Sequence, residues 1–350
     1  MNFARFTRRK LLGALALAAA ASMGTAALAD TVKLKLSSFE SPLGNITSNV
    51  LTPFARDASA ASQGALQIDV FAGGTLGRSP AQQLKLVTDG IADMAWVVLP
   101  YTPGRFDDAE VVGQPFITTN STEASVALHR MYDKGMLGGF DGLKMLVLGV
   151  TPPVTIHAMM PVHTPADLKG KRVRISGDLP TRLVESLGGA PVQVGGGQIA
   201  DALSRGVVDM TFNNWGFVSD FKVDEIARHH LDIPLGAVAV GVVMRQDRYD
   251  ALPEQARAAI DKVSGEQLAY KLGQAFDNQD TDVRKRLNAS SRNKIITPTP
   301  EELQAWQQAA EPINAAWRQA KPDNERINNL FAEELARVRA DGGAAAKNNQ

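Results

Sequence analysis

The stretch GKRVRI at residues 170–175 sets two arginines, Arg172 and Arg174, at alternating positions of a short apolar run. Strand alternation sends both guanidiniums to one face, where a helix-covered sheet has little room for two solvated cations. One is expected to snorkel outward while the other reaches the carboxyl end of the strand, where open α/β sheets hold their ligands. The planar fork suits a carboxylate, so anion binding stands there beside a surface salt bridge as the alternative. Asn213-Asn214-Trp215 follows another short apolar run and offers amide donors next to an aromatic wall. Phe39, Trp96 and Phe212 are further aromatics at strand ends or beside polar residues, with core packing as the alternative for each. An amide beside an aromatic wall suits binding better than catalysis.

Other chemistries find less support. The five histidines, His129, His157, His163, His229 and His230, include no pair four residues apart, so a helical metal site is not expected. Loop or surface positions are expected for the histidines as a group, with His157 retained as a candidate ligand contact. No G-x-S-x-G elbow, Walker loop or metalloprotease helix occurs, which removes the usual signals of acyl and phosphoryl transfer. Gly195-Gly196-Gly197 is contiguous instead of spaced as a dinucleotide fingerprint, and reads as a strand-to-helix turn. No catalytic residue, metal or cofactor is expected.

The elements that must position these residues follow from length and pattern. With 350 residues, two hydrophobic cores are the prior. Lys and Arg total 37 against 37 Asp and Glu, with no basic cluster past the first ten residues, so nucleic acid is a poor partner. The absence of cysteine excludes disulfides, thiolate metal sites and cysteine nucleophiles. Residues 1–29 combine Arg5, Arg8, Arg9 and Lys10, an apolar stretch too short to span a bilayer, and an A-x-A motif at 27–29. This is expected to be a cleaved secretory signal, and TRRKLL at 7–12 fits either the twin-arginine or the general export route. The mature protein is then mildly acidic and periplasmic.

Residues 31–37 alternate as a half-buried strand, 46–62 carry helical spacing, and strands at 66–71 and 92–98 flank a helix at 80–88. The same β-α-β grammar recurs in strands at 172–175, 191–194 and 210–212 with helices at 180–187 and 198–205. Two α/β units are the simplest reading, with a crossover at Thr151-Pro152-Pro153 between strands at 144–150 and 154–159. A helix from Pro253 to about residue 286 is expected to be long enough to touch both units. Thr299-Pro300-Glu301-Glu302 is a capping box that opens another helix. The expected division is 30–151 plus about 240–279 for the first domain, 152–239 plus about 280–340 for the second, and a disordered tail at 341–350.

Six segments in order, FAGGTLG at 71–77, VTDGIAD at 87–93, YTPGRF at 101–106, QPF at 114–116, TPADLKGKRVR at 164–174 and ALSRGVVD at 202–209, resemble the solute receptors of tripartite ATP-independent periplasmic (TRAP) transporters, the DctP-type family. The resemblance covers nearly all of the mature chain. It implies the two-domain periplasmic solute-binding fold, with a ligand cleft between the domains, closure on a small organic acid, and delivery to membrane permease subunits by a monomeric receptor. It implies Arg174 as the carboxylate clamp, with Asn213 and Trp215 lining the cleft opposite Phe39 and Trp96. Met210, the Asn213-Asn214 pair and Gly216 depart from common family choices, and Val154 falls near where sialic-acid-type members carry a second arginine. A periplasmic α/β enzyme acting on carboxylates and a receptor for an ATP-driven importer are the alternatives.

Overall fold

The computed structural model describes residues 31–342. The signal expected at 1–29 and the expected tail, apart from residues 341 and 342, lie outside them. In chain order the strands are β1 (Val32–Ser37), β2 (Leu66–Phe71), β3 (Met94–Val98), β4 (Leu143–Val150), β5 (Thr155–Ala158), β6 (Arg172–Arg174), β7 (Ala190–Val192), β8 (Met210–Asn213), β9 (His229–Leu231), β10 (Ala239–Arg245) and β11 (Lys294–Ile296). The α-helices used below are α1 (Thr52–Ala61), α2 (Gln83–Thr88), α3 (Ser121–Asp133), α4 (Asp178–Ser186), α5 (Ile199–Ser204), α6 (Trp215–Asp220), α7 (Gln246–Asp250), α8 (Glu254–Val263), α9 (Glu266–Asn288), α10 (Pro300–Ala320) and α11 (Asn324–Ala340).

The period-two pattern of β1 is realised directly: Leu34 and Leu36 are buried while Lys33 and Lys35 face water. One sheet runs β2-β1-β3-β10-β4 and the other β11-β9-β5-β8-β6-β7. In the first, β1 pairs in parallel with β2 and β3, and β10 inserts antiparallel between β3 and β4. In the second, β6 runs parallel to β7 and β8, while β5 runs antiparallel to β8 and β9. The chain therefore passes from one sheet to the other after β4 and returns before β10. The two crossing segments are tied by Thr151 N–H to Val238 O (2.9 Å), Val154 N–H to Gly236 O (2.7 Å) and Leu235 N–H to Val154 O (2.9 Å).

One apolar cluster is continuous from Val97, Leu148 and Val150 through Ile156 to Val173, Phe212, Trp306 and Phe331, so the crossing strands are also a shared core. A second cluster, with Leu34, Phe54, Trp96, Val242 and Leu272, covers the other face of the first sheet. The capping box at Thr299 forms as expected, with the Glu302 amide donating to Thr299 Oγ1 (3.2 Å) and the Thr299 amide donating to Glu302 Oε2 (2.8 Å). Helix α10 packs on α4 and α11 returns to pack on α3 of the first half.

The single helix expected from Pro253 to about residue 286 is instead two. Helix α8 ends at Val263, Ser264 is extended, and Gly265 adopts φ 75°, ψ −150°, a conformation essentially confined to glycine. The break turns the Gly265 N–H into Leu146 O of β4 (2.8 Å) and lets α8 pack on α1 while α9 packs along α3 and β4. Helix α9 alone, 23 residues and about 35 Å long, also reaches α6 and β11, so it touches both halves. Replacing Gly265 with Ala should lower unfolding stability in urea by about 1–3 kcal/mol. Unchanged stability would mean that a continuous helix is accessible at this point.

Candidate functional site

The strands β5, β6, β8 and β9 each bury one apolar and one polar face. Register pairs Thr155 with Asn213, His157 with Thr211, Arg174 with Thr211 and His157 with His230, so these six residues share one face. Ile156, Val173, Met210, Phe212 and Leu231 lie on the opposite face within the shared apolar cluster. Phe212 is thereby turned into the core by the same alternation that presents Asn213, and it does not join the polar face.

The two arginines of β6 divide as strand geometry suggested. Arg172 is half-exposed and makes a bidentate pair with Asp209, with Nε to Oδ2 at 3.1 Å and Nη2 to Oδ1 at 2.8 Å. Arg174 is only 4% exposed. Its Nε donates to Val194 O (3.0 Å), its Nη1 lies 3.5 Å from Asn213 Oδ1, and its guanidinium carbon is 5.7 Å from the centre of the Phe217 ring. Among the described residues no carboxylate lies within ion-pair distance of it, and burial pulls its pKa down from the ordinary value, with the Tyr101 phenol pulling the other way. A guanidinium buried with two hydrogen bonds, one of them long, and no counter-ion is costly in isolation and becomes favourable when an anion enters.

Asn213 is oriented by its neighbours. Its Oδ1 accepts from Thr211 Oγ1 and faces Arg174, which fixes the amide so that Nδ2 is the donor left over. Its main-chain carbonyl faces His157 Nε2 at 3.0 Å, and Thr155 Oγ1 lies 2.9 Å from the same nitrogen. Behind it, His157 Nδ1 and His230 Nδ1 are 2.8 Å apart, and His230 Nε2 reaches Asn293 Oδ1 at 3.1 Å. Such a contact requires one ring to donate and the other to accept. Burial holds both imidazoles below their ordinary pKa, and for His157 the neighbouring His230 adds to it. The expectation of loop or surface histidines is thus corrected: His157 and His230 are strand residues, fully buried, and His129 is buried in α3.

The remaining candidates are placed as follows. Trp215, the first residue of α6, is buried against Val283 and Leu287 of α9, with its ring 5.0 Å from His157 and 5.4 Å from His230. Asn214 is the N-cap of α6: its Oδ1 accepts from the Phe217 N–H (2.8 Å), so that oxygen is engaged within its own helix. Phe39 and Trp96 lie in the first half, in the same apolar cluster, and the Trp96 indole N–H donates to Glu40 Oε1 (2.9 Å). Burial pushes the Glu40 carboxyl up to about 7. The structure therefore unites Arg174, Asn213, His157 and Trp215 in one contiguous group and keeps Phe39 and Trp96 as a separate pair. Phe217, Thr211, His230 and Tyr101 were not singled out by sequence. Of these only Thr211, one strand period before Asn213, carried a local signal.

Beside the crossing strands a cavity is lined by Leu99, Phe106, Val112, Val154, Leu179 and Val238, and its wall includes Ser176 and Gly177, which follow Arg174 in the chain. Among the described residues no helix is long and apolar enough to cross a membrane.

Residues 36–320 match the family model described as bacterial extracellular solute-binding protein, family 7. The chain is 30% identical to the outer membrane transporter protein TsaT of Comamonas testosteroni over 324 residues, covering 91% of this chain and 92% of that one. Among solved structures, a TRAP solute-binding protein from Rhodoferax ferrireducens in complex with copurified benzoate superposes with a TM-score of 0.82 at 29% identity, covering 89% of this chain and 100% of that one. A marine metagenome TRAP solute-binding protein specific for aromatic acid ligands, in complex with 3-hydroxybenzoate, gives a TM-score of 0.81 at 25% identity, covering 88% and 98%. The two-domain α/β fold expected from the sequence is the fold of these relatives.

The neutral histidine pair has a measurable consequence. An imidazole whose folded pKa lies below its unfolded value near 6.5 is charged first in the unfolded chain, so stability falls as pH drops below about 6.5. Long-range proton–nitrogen correlation spectra at pH 7.5 should find His157 and His230 neutral, with one ring protonated at Nδ1. Two imidazolium signatures at that pH would contradict the arrangement.

Proposed function

Since this chain belongs to the bacterial extracellular solute-binding proteins of family 7, we propose that it captures a compact monocarboxylate with an aromatic or other apolar body and hands it to a TRAP permease. It is a substrate-binding receptor and not an enzyme, as are its structural relatives. The observation that carries the ligand reading is Arg174, buried beside Asn213 without a carboxylate among the described residues. A bound carboxylate supplies the missing counter-ion, accepting from the guanidinium fork, while Asn213 Nδ2 donates to a second ligand oxygen. The Phe217 ring under the guanidinium favours a ligand with a flat apolar body.

By the family resemblance Val154 falls near where sialic-acid-type receptors carry another arginine, and a polyhydroxylated acid would leave hydroxyls unpaired at roughly 1–3 kcal/mol each. Relatives at 29% and 25% identity hold benzoate and 3-hydroxybenzoate, which support the same class. We assign residues 31–151 and about 240–279 mainly to one domain and 152–239 with about 280–320 to the other, and move 321–340, expected in the second, to the first because α11 packs on α3. Closure is by bending at the crossings near Pro152-Pro153 and Ala239. Export to the periplasm, a monomeric state and delivery to permease subunits complete the reading.

A thermal-shift panel of benzoate, 3-hydroxybenzoate, mandelate, pyruvate, glucuronate and sialic acid tests it. A ligand at 100 times its Kd should add about 2.7 kcal/mol of stability. Aromatic and small keto or hydroxy acids should shift the transition and the sugar acids should not, whereas the reverse order would overturn the ligand class. By calorimetry Arg174→Ala should weaken the best acid at least ~100-fold, with little rescue by Arg174→Lys. Arg172→Ala, which loses a half-exposed surface pair, should cost less than about fivefold. Equal losses at both positions would refute Arg174 as the clamp. In solution scattering, the radius of gyration should fall on saturation with that acid, and an unchanged profile would exclude closure.

A further inference from the structure

Helix α9 carries two carboxylates one turn apart, and each holds the start of a different helix. Asp277 accepts the N–H groups of Ser121 and Thr122 of α3, both at 2.8 Å, and the Thr122 hydroxyl at 2.5 Å. Asp280 accepts the Gly216 N–H of α6 at 2.7 Å. Helix α3 belongs to the half that contains the first sheet, and α6 follows β8 of the second. Between the two acids, Gln279 accepts from Asn45 Nδ2 (2.9 Å) and donates to both Asp220 oxygens (2.9 and 3.0 Å). The contacts are tight: a Cβ at Gly273 would come within 2.4 Å of Thr122 Cα, and one at Gly216 within 2.5 Å of Gln279 Oε1. What Asp280 grips is the segment that carries Asn213, the Asn214 cap and the Phe217 ring beneath Arg174.

We propose that Asp280 is a positioning residue for ligand capture: as a carboxylate it pins α6 to α9 and so holds Asn213 and Phe217 against Arg174, and its protonation loosens that hold. The proposal rests on the reading of Arg174 and Asn213 as the carboxylate site. Burial raises Asp280 to about 7, helped by the charge of Asp277 and opposed by the α6 amides and Arg284. An ionised acceptor makes roughly twice as strong a hydrogen bond as a neutral one. The other charged or titratable groups about the α6–α9 contact are Asp220, bonded to Gln279, Asp232 paired with Arg284, and His157 and His230 against Trp215. Across from Asp220, Glu40 of the first half also titrates near 7 and is the competing source of any pH effect.

Calorimetric titration of benzoate and 3-hydroxybenzoate between pH 5.5 and 8.5 decides it, using wild type, Asp280→Asn and Glu40→Gln. Wild-type affinity should fall about tenfold as pH is lowered, with a midpoint near 7. Asp280→Asn should give a flat profile at the low-pH level of the wild type, and Glu40→Gln should keep the wild-type slope. A flat wild-type profile, a slope retained in Asp280→Asn, or a slope abolished in Glu40→Gln overturns the proposal and leaves the clamp intact. If neither acid binds wild type at pH 8.5, the aromatic-acid reading falls and this proposal with it. Should Asp280→Asn fail to fold by circular dichroism, the wild-type and Glu40→Gln profiles decide alone: a wild-type slope that Glu40→Gln keeps supports the proposal, and either failing overturns it.

Discussion

A cation buried with no counter-ion among the described residues is the constraint around which this molecule is arranged. Taking a guanidinium out of water costs several kcal/mol unless fixed dipoles or an anion replace the solvent. At Arg174 the fixed dipoles are few: Val194 O, the more distant Asn213 Oδ1 and the face of Phe217. They engage Nε and Nη1 and leave the rest of the fork without a side-chain or main-chain partner among the described residues. The contrast with Arg172, two residues away and fully engaged by Asp209, follows from their places on β6, one at the half-exposed edge and one beneath the helix that follows β8. A buried positive group that no protein carboxylate among the described residues neutralises suits a reversible receptor for anions, because a ligand carboxylate can supply the opposite charge.

The rest of the polar face can be understood as keeping that site rigid. Thr211 fixes the Asn213 side chain, while Thr155 and His157 fix its backbone, and the neutral pair His157 and His230 fills the interior behind them without adding charge. Supporting groups of this kind hold a ligand contact within a fraction of an ångström. Helix α9 then connects this face to the other half through Gln279 and the two helix-capping aspartates. The continuous apolar cluster under the crossing strands gives the two halves a common base.

Much of the scaffold was legible in the sequence because its signals are local. Alternation in β1, the two β-α-β runs, the prolines at 152–153 and the capping box at Thr299 each depend on residues a few positions apart. That one of Arg172 and Arg174 would turn outward was expected from alternation, while the choice of Arg174 as the clamp came from the family resemblance. What could not be read depends on partners far away in the chain. Asp280 meets Gly216 across 64 residues, Asp277 meets Ser121 across 156, and His157 meets His230 across 73. The break at Gly265 was hidden because helical periodicity continues on both sides of it. Phe212 and Asn214 resemble site residues in type and position, but strand alternation turns one into the core and the other caps its own helix.

On the proposed reading, a ligand carboxylate completes the Arg174 site. A crystal structure of the protein with benzoate tests this most directly. Both carboxylate oxygens should lie within hydrogen-bond distance of the Arg174 guanidinium, at about 2.7–2.9 Å, with Asn213 Nδ2 donating to the ligand and the ring near Phe217. Benzoate bound elsewhere in the cleft, with Arg174 still lacking an anion, would contradict it.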